Sequence, residues 1–220
     1  MKLYYDPLST TSRPVMLFLA EHDLAVEMEA LDIMSGETRS PAFAALNPNL
    51  TVPVLDDDGF VLTESSAILK YLADLAGSPA YPTDLRARAR VNSAMDWFNT
   101  NFSKDLNGDY VYPRLLPEFM PPHLLAPEVT ERALERAGHW LGVLDGHMLR
   151  DRYVCGPEIT IADYFGAAQT GLSQAVDFDL SPWPRVKAWL ERMQARPAWG
   201  EVHAAFYGLV ASRRQLSKAG

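Results

Sequence analysis

The chain has 220 residues, with 20 Lys plus Arg against 28 Asp plus Glu for a formal charge of −8, which is room for one large domain or two small ones at roughly 100–200 residues each. The acidic balance argues against a partner held by general attraction to nucleic-acid phosphates or an anionic membrane, and the single cysteine, Cys155, allows neither an intrachain disulfide nor a cysteine-rich zinc site. A hydrophobic content of 48%, no apolar run near the ~18 residues of a membrane span, and a start (Met1-Lys2-Leu3-Tyr4-Tyr5-Asp6) that reaches an acid too soon for a signal peptide set the expectation of a soluble, cytoplasmic protein in a reducing compartment.

Residues 1–77 mix short β-type runs with helical stretches. Leu3 to Tyr5 predicts an opening strand and Arg13 to His22 a helix, followed by alternation over Val26 to Ile33, a β-α-β order. Val54-Leu55 and Phe60-Val61-Leu62 flank Asp56-Asp57-Asp58-Gly59, whose acids and glycine favour a hairpin turn. Ser66 to Ala76 supplies the next helix, with Ile68, Leu69, Leu72 and Leu75 on one stripe. The order β-α-β then β-β-α is that of a thioredoxin-like α/β domain. Residues 78–84, carrying Ser78-Pro79 and Tyr81-Pro82-Thr83-Asp84, read as a linker, and residues 85–220 as a second, all-α domain. Helices are expected over Leu85 to about Leu106, Val129 to Leu149, Ile161 to Gln174 and Trp183 to Arg196. Pro113, Pro117, Pro121, Pro122 and Pro127 predict a bent connection between the first two. Ser212 to Gly220 has no periodic apolar face and reads as a loosely held tail.

Three stretches can carry chemistry. Ser9-Thr10-Thr11-Ser12-Arg13 joins the first strand to the first helix, where N–H groups and the positive helix end can hold an anion. A thiolate beside Ser9 would accept its hydrogen bond and fall below the ordinary thiol pKa of about 8.5; the same hydroxyls can equally serve as a helix cap. Thr51-Val52-Pro53-Val54 brings a proline against a strand, either trans at a strand start or cis, in which case the Val52 N–H and C=O face outward and can pair with a short peptide. Glu64-Ser65 stands at the next strand-to-helix junction, either as a cap and surface acid or as a receptor for an amino-acid head group, Ser65 with the helical N–H groups taking the carboxylate and Glu64 the ammonium.

Other features read as structural. Thr160-Ile161-Ala162-Asp163 has capping-box spacing, which makes Asp163 a stability residue. Trp97, Phe98, Phe102, Tyr110 and Tyr112 can line an apolar pocket facing the small domain or serve the core, with Tyr110 and Tyr112 the more exposed pair. The five histidines form no ligand pair, so no metal is expected, and no glycine-rich nucleotide motif occurs.

Over nearly its full length the chain resembles a cytosolic glutathione transferase. The resemblance rests on Leu3-Tyr4-Tyr5 with Ser9-x-x-Ser12-Arg13, on Asn47-Pro48 with Thr51-Val52-Pro53-Val54-Leu55, on Glu64-Ser65-x-Ala67-Ile68-x-x-Tyr71-Leu72, and on Thr160-Ile161-Ala162-Asp163, in that order. It is most similar to the theta and delta classes and their bacterial relatives, whose catalytic serine lies four residues before the arginine, here Ser9. The resemblance implies a thioredoxin-like domain followed by an all-helical one, and a homodimer. It implies glutathione as co-substrate, a small hydrophobic electrophile, and no metal, nucleic acid or membrane. Val52 would pair with the cysteinyl backbone, Pro53 would be cis, Glu64 and Ser65 would hold the γ-glutamyl end, and Arg39 and Thr51 would complete the site. Leu50 and Thr38 stand where such enzymes often carry histidines and Ser66 where an arginine is common, so Arg39 would have to substitute at the glycyl carboxylate. Thr10 takes roughly the place of the beta-class cysteine, so mixed-disulfide chemistry is not implied. A glutathione-dependent peroxidase, dehalogenase or isomerase, and a non-catalytic glutathione-binding or regulatory protein, are the alternatives that the same fold permits.

Overall fold

Four short strands form the first layer: β1 (Lys2–Tyr5), β2 (Glu27–Ala30), β3 (Val54–Asp57) and β4 (Phe60–Thr63), in the order β2-β1-β3-β4. β1 and β2 run parallel, and a parallel pair needs a crossover, here helix α1 (Ser12–Ala20). The other pairings are antiparallel. The computed structural model describes residues 1–219, with side chains through residue 215.

β2 is shorter than the alternation over Val26 to Ile33 predicts. The chain turns at Asp32, whose Oδ1 accepts the Met34 and Ser35 N–H groups at 2.8 and 3.0 Å, a local turn that competes with strand extension. The β3–β4 hairpin closes as expected: Asp57 pairs with Phe60, and Asp58 and Gly59 both take positive φ, 51° and 92°, the signature of a two-residue turn matched to strand twist. A 3-10 turn at Glu37–Arg39 and helix α2 (Pro41–Leu46) lead into β3, and α3 (Ser65–Leu75) follows β4. Ile68, Leu69 and Leu72 of α3 are fully buried, whereas Leu75, expected on the same stripe, is half exposed.

Helix α4 (Leu85–Trp97) is capped by Asp84, whose Oδ1 accepts the Ala87 N–H at 2.8 Å. It continues with π-type hydrogen bonding through Phe98–Phe102 and Lys104–Val111 into α5 (Tyr112–Leu115). The expected stop near Leu106 is therefore wrong by about two turns. Tertiary bonds hold the extension: buried Asp105 accepts from Arg136 Nε at 2.9 Å and Trp140 Nε1 at 2.7 Å, and Asn107 Nδ2 donates to Gln169 Oε1 at 2.7 Å. The widened turns bend the helix, and the proline-rich stretch beyond it forms 3-10 turns at Pro117–Phe119 and Pro122–Leu125. Helices α6 (Pro127–Val143), α7 (Ile161–Gly171), α8 (Pro184–Gln194), α9 (Trp199–Val202) and α10 (Ala204–Ala219) complete the all-α half.

α7 is buried on every side, and a Cβ on its Gly166 would overlap the Phe98 ring, so this crossing needs glycine. The Thr160–Asp163 capping box forms as the spacing predicts. The supposed tail is instead the last turns of α10 from Ser212 to Ala219, with Gly220 outside the described residues. Ion pairs from Arg213 to Glu118 and from Arg214 to Asp177 tie it down, contacts that no local pattern reveals.

His203 at the start of α10 is buried, stacked on Trp199 with ring centroids 3.8 Å apart. Burial, with the Arg13 cation nearby, holds its pKa down to about 3. The folded chain thus refuses a proton that the unfolded chain takes up near pH 6.5, so this stability is full above pH 6.5 and is lost toward pH 3, at about 1.4 kcal/mol per pH unit. Comparing urea midpoints at neutral pH and near pH 5, the wild type should lose roughly 2 kcal/mol more than His203→Gln; equal losses would reject the assignment.

Candidate active site

The β1–α1 junction is built around two buried side chains. Asp6 accepts the Leu8 N–H at 2.6 Å and the Ile33 N–H at 2.9 Å, fastening the loop to the far end of β2. Ser9 then caps α1: its Oγ accepts the Ser12 N–H at 3.2 Å, and its carbonyl accepts the Arg13 N–H at 3.1 Å. The same Oγ lies 2.9 Å from Thr11 Oγ1, and Thr11 Oγ1 donates to the Val52 carbonyl at 2.9 Å. A hydroxyl has one proton and two acceptor sites. Thr11 has spent its proton on Val52, so Ser9 must be the donor in the Ser9–Thr11 bond. Capping and ligand contact are therefore compatible, because the cap uses an acceptor site of Ser9 and leaves its proton free to move.

Beneath this loop lies Arg13, fully buried, with Nη2 donating to Thr10 Oγ1 at 3.2 Å and its guanidinium 4.0 Å from the Phe206 ring. Its Nε and Nη1 have no hydrogen-bond partner among the described residues. Burial lowers its pKa to about 10, so it remains a cation at neutral pH, one turn from Ser9, where it favours a nearby anion.

The Val52-Pro53 bond is cis. Asn47, almost wholly buried, clamps the loop before it: Nδ2 donates to the Thr51 carbonyl at 2.8 Å, and Oδ1 accepts the Asn49 N–H at 3.0 Å. Glu64 precedes α3 at φ 67°, ψ 111°, with no side-chain cap bond. A non-glycine residue held at positive φ costs of order 1–3 kcal/mol and marks a constrained position. It leaves the Glu64 carboxylate unpaired among the described residues and the first turn of α3 uncapped by any side chain.

All seven residues singled out in the sequence, Ser9, Arg39, Thr51, Val52, Pro53, Glu64 and Ser65, line one cavity of about 700 Å³. Thr38 and Leu50 lie in its wall as well. Arg39 is exposed, and its guanidinium has no partner among the described residues. A second, smaller cavity of about 240 Å³ shares Ser9, Thr11 and Ile33 with the first and is otherwise mostly apolar, walled by Leu115, Leu116, Met120, Leu172 and Phe206. Ser9 thus stands where a polar groove meets an apolar pocket.

The family description "Glutathione S-transferase, N-terminal domain" matches residues 3–80, and "Glutathione S-transferase, C-terminal domain" matches residues 109–197. The chain belongs to the glutathione S-transferase family. It is similar to glutathione S-transferase theta-1 of Mus musculus, 35% identical over 89% of this chain and 82% of the relative. It is also similar to glutathione S-transferase D7 of Anopheles gambiae, 33% identical over 86% of this chain and 84% of the relative. A delta-class glutathione transferase structure from Nilaparvata lugens superposes with a TM-score of 0.83 at 30% identity, covering 96% of this chain and 99% of that one.

In this member of the family, only Tyr112 of the five aromatics suggested for a domain-facing pocket lines the apolar cavity. Phe98 and Phe102 are core, Trp97 opens onto a different groove, and Tyr110 packs edge-on against Phe178. Tyr112 is half-buried, and its hydroxyl donates to Thr10 Oγ1 at 2.9 Å, across 102 residues of sequence. Burial raises its pKa, so it stays protonated and a donor at neutral pH. Sequence reasoning also missed Thr11 and the clamping role of Asn47, since each acts through a contact tens of residues away or within a loop of irregular shape. Among the described residues no group of three or more His, Cys, Asp or Glu side chains is placed to hold a metal, and no helix is long and apolar enough to cross a membrane.

Proposed function

We propose that the chain catalyses attack of the glutathione thiolate on a small hydrophobic electrophile, with Ser9 as the hydroxyl that stabilises the thiolate. The observation that carries this reading is the position of Ser9 in the wall common to the polar and apolar cavities. A thiol held there meets a hydroxyl donor, the positive end of α1 and the buried Arg13 cation, each of which favours its ionised form. In this reading the backbone of Val52, presented by cis Pro53, pairs with the cysteinyl unit. Glu64 receives the γ-glutamyl ammonium, and Ser65 with the first-turn N–H groups of α3 receives its carboxylate. Thr51 flanks the peptide, and Arg39, without a partner among the described residues, takes the glycyl carboxylate in place of the histidines that Thr38 and Leu50 replace.

The same proposal assigns residues 1–77 to glutathione, 78–84 to the linker and 85–220 to the electrophile. It places the chain with the theta- and delta-like members, those of bacteria included, as a cytoplasmic homodimer.

Two measurements test the reading together. Glutathione binding by calorimetry should be followed by conjugation to a small aryl halide or epoxide, and Arg39→Ala should raise KM for glutathione about tenfold with kcat little changed, as expected when a charge-assisted bond to a non-reacting group is lost. Retention of glutathione without turnover of several electrophiles, peroxides and haloalkanes included, would instead favour a binding or regulatory protein. Turnover confined to peroxides or haloalkanes would favour the peroxidase or dehalogenase alternative.

A further inference from the structure

We propose that Thr11 is a positioning residue for Ser9, a hydroxyl that points to the Val52 carbonyl in the free protein and turns to Ser9 Oγ when glutathione binds, coupling the peptide-pairing edge to the thiolate site. The inference rests on the glutathione reading above. It starts from a proton count. In the free protein Ser12 N–H donates to Ser9 Oγ, Ser9 O–H donates to Thr11 Oγ1, and Thr11 O–H donates to Val52 O. The chain of donors runs away from the place where the thiolate must sit, and it ends on the carbonyl that must receive the cysteinyl N–H.

Glutathione reverses both ends. Its cysteinyl N–H takes a second acceptor site on Val52 O, and sharing the carbonyl weakens the Thr11 bond to it. Its thiolate accepts the Ser9 O–H in place of Thr11, which turns an unused lone pair of Ser9 Oγ toward Thr11. Turning the Thr11 hydroxyl through one rotation about its C–O bond fills that site, and every donor again has an acceptor: Thr11 to Ser9, Ser12 N–H to Ser9, Ser9 to sulfur, and cysteinyl N–H to Val52 O. Within the protein no proton changes its owner and no covalent bond is broken; the thiol proton lost on ionisation passes to solvent, and the hydrogen bonds from Ser9 to Thr11 and from Thr11 to Val52 are exchanged for those to sulfur and to Ser9. A hydroxyl that accepts two hydrogen bonds is a stronger donor for the third, so Thr11 in its second position strengthens the bond from Ser9 to sulfur. The location fits this role, since Thr11 is half-buried in the wall that both cavities share.

The test is the ultraviolet titration of the thiolate of bound glutathione in wild type, Thr11→Val, Thr11→Ser, Ser9→Ala and the Ser9→Ala/Thr11→Val pair, with S-methylglutathione affinity measured alongside. Thr11→Val removes the hydroxyl at nearly constant volume and should raise the bound-thiol pKa by roughly 0.5–1, a three- to tenfold loss of thiolate at mildly acid pH, while Thr11→Ser stays near wild type. In the Ser9→Ala background Thr11→Val should change nothing further, because its target is gone. S-methylglutathione, which has no thiolate, should bind Thr11→Val as well as wild type or a few-fold better, since Val52 O is already free. An unchanged pKa in Thr11→Val, an equal shift with and without Ser9, or weakened S-methylglutathione binding would each overturn the coupling. A Ser9→Ala protein whose bound thiol titrates like wild type would overturn the thiolate reading itself, a separate and recognisable failure.

Discussion

Ser9→Ala should lower kcat about 100-fold at mildly acid pH while changing glutathione affinity far less. If the hydroxyl lowers the bound-thiol pKa by ~2, removing it costs about 2.7 kcal/mol of preference for the thiolate, and that preference is expressed where charge sits on sulfur. In the proposed site glutathione is otherwise held by groups that alanine does not touch: Val52 through its backbone, Glu64 and Arg39 through charges. The loss should shrink as pH rises toward the ordinary thiol range near 8.5, because the free thiol then ionises unaided. The variant also loses a helix cap, the Ser12 N–H bond, at about 1 kcal/mol of stability. That effect separates from catalysis, since a weakened cap lowers the urea midpoint without giving kcat a pH profile. Parallel losses of affinity and turnover at all pH values would reject the thiolate role.

Asp163→Ala should cost about 3–5 kcal/mol, a large share of the roughly 5–15 kcal/mol that holds a domain folded. Fully buried Asp163 accepts from Val154 N–H at 2.9 Å, Thr160 N–H at 2.8 Å, Thr160 Oγ1 at 3.0 Å and Trp189 Nε1 at 2.9 Å. Alanine orphans donors from the loop before α7, from the α7 cap and from α8 together, and each unsatisfied buried donor is costly. Asp163→Asn keeps the shape but sets an NH₂ among three N–H groups that can only donate, with the Thr160 hydroxyl alone able to accept from it, so it should recover part of the loss and no more. Chemical denaturation of the three proteins checks the order wild type, Asn, Ala; a loss under 1 kcal/mol for Ala would show that water replaces the carboxylate.

Both residues were visible in the sequence because their signals are local. Ser9 precedes a helix and an arginine at a fixed spacing, and Thr160 to Asp163 spans one turn. The strand and hairpin pattern of the first half was legible for the same reason, since Asp58-Gly59 prescribes its own turn. What stayed hidden depends on distant partners. The helix past Leu106 is held by Arg136, Trp140 and Gln169, and α10 by Glu118 and Asp177, none of which the local periodicity registers. Tyr112 stood out in the sequence only as one of the two more exposed aromatics, until the fold set its hydroxyl against Thr10. Thr11 looked like a helix cap, yet the cap is Ser9 and Thr11 reaches Val52 instead.

The burial of α1 has a practical corollary. Its Leu17 and Phe18 are fully covered, Phe18 meeting Tyr164 of α7 edge-on with ring centroids 5.6 Å apart, and Arg13 leans on Phe206 of α10. The helix that Ser9 caps is thus roofed by the other half of the chain, and the seam between the halves in sequence is no seam in space. The first half is not a detachable module: cut free near residue 84 for use as a fusion tag, it would present apolar surface and the Arg13 guanidinium to water, and would associate with its own kind.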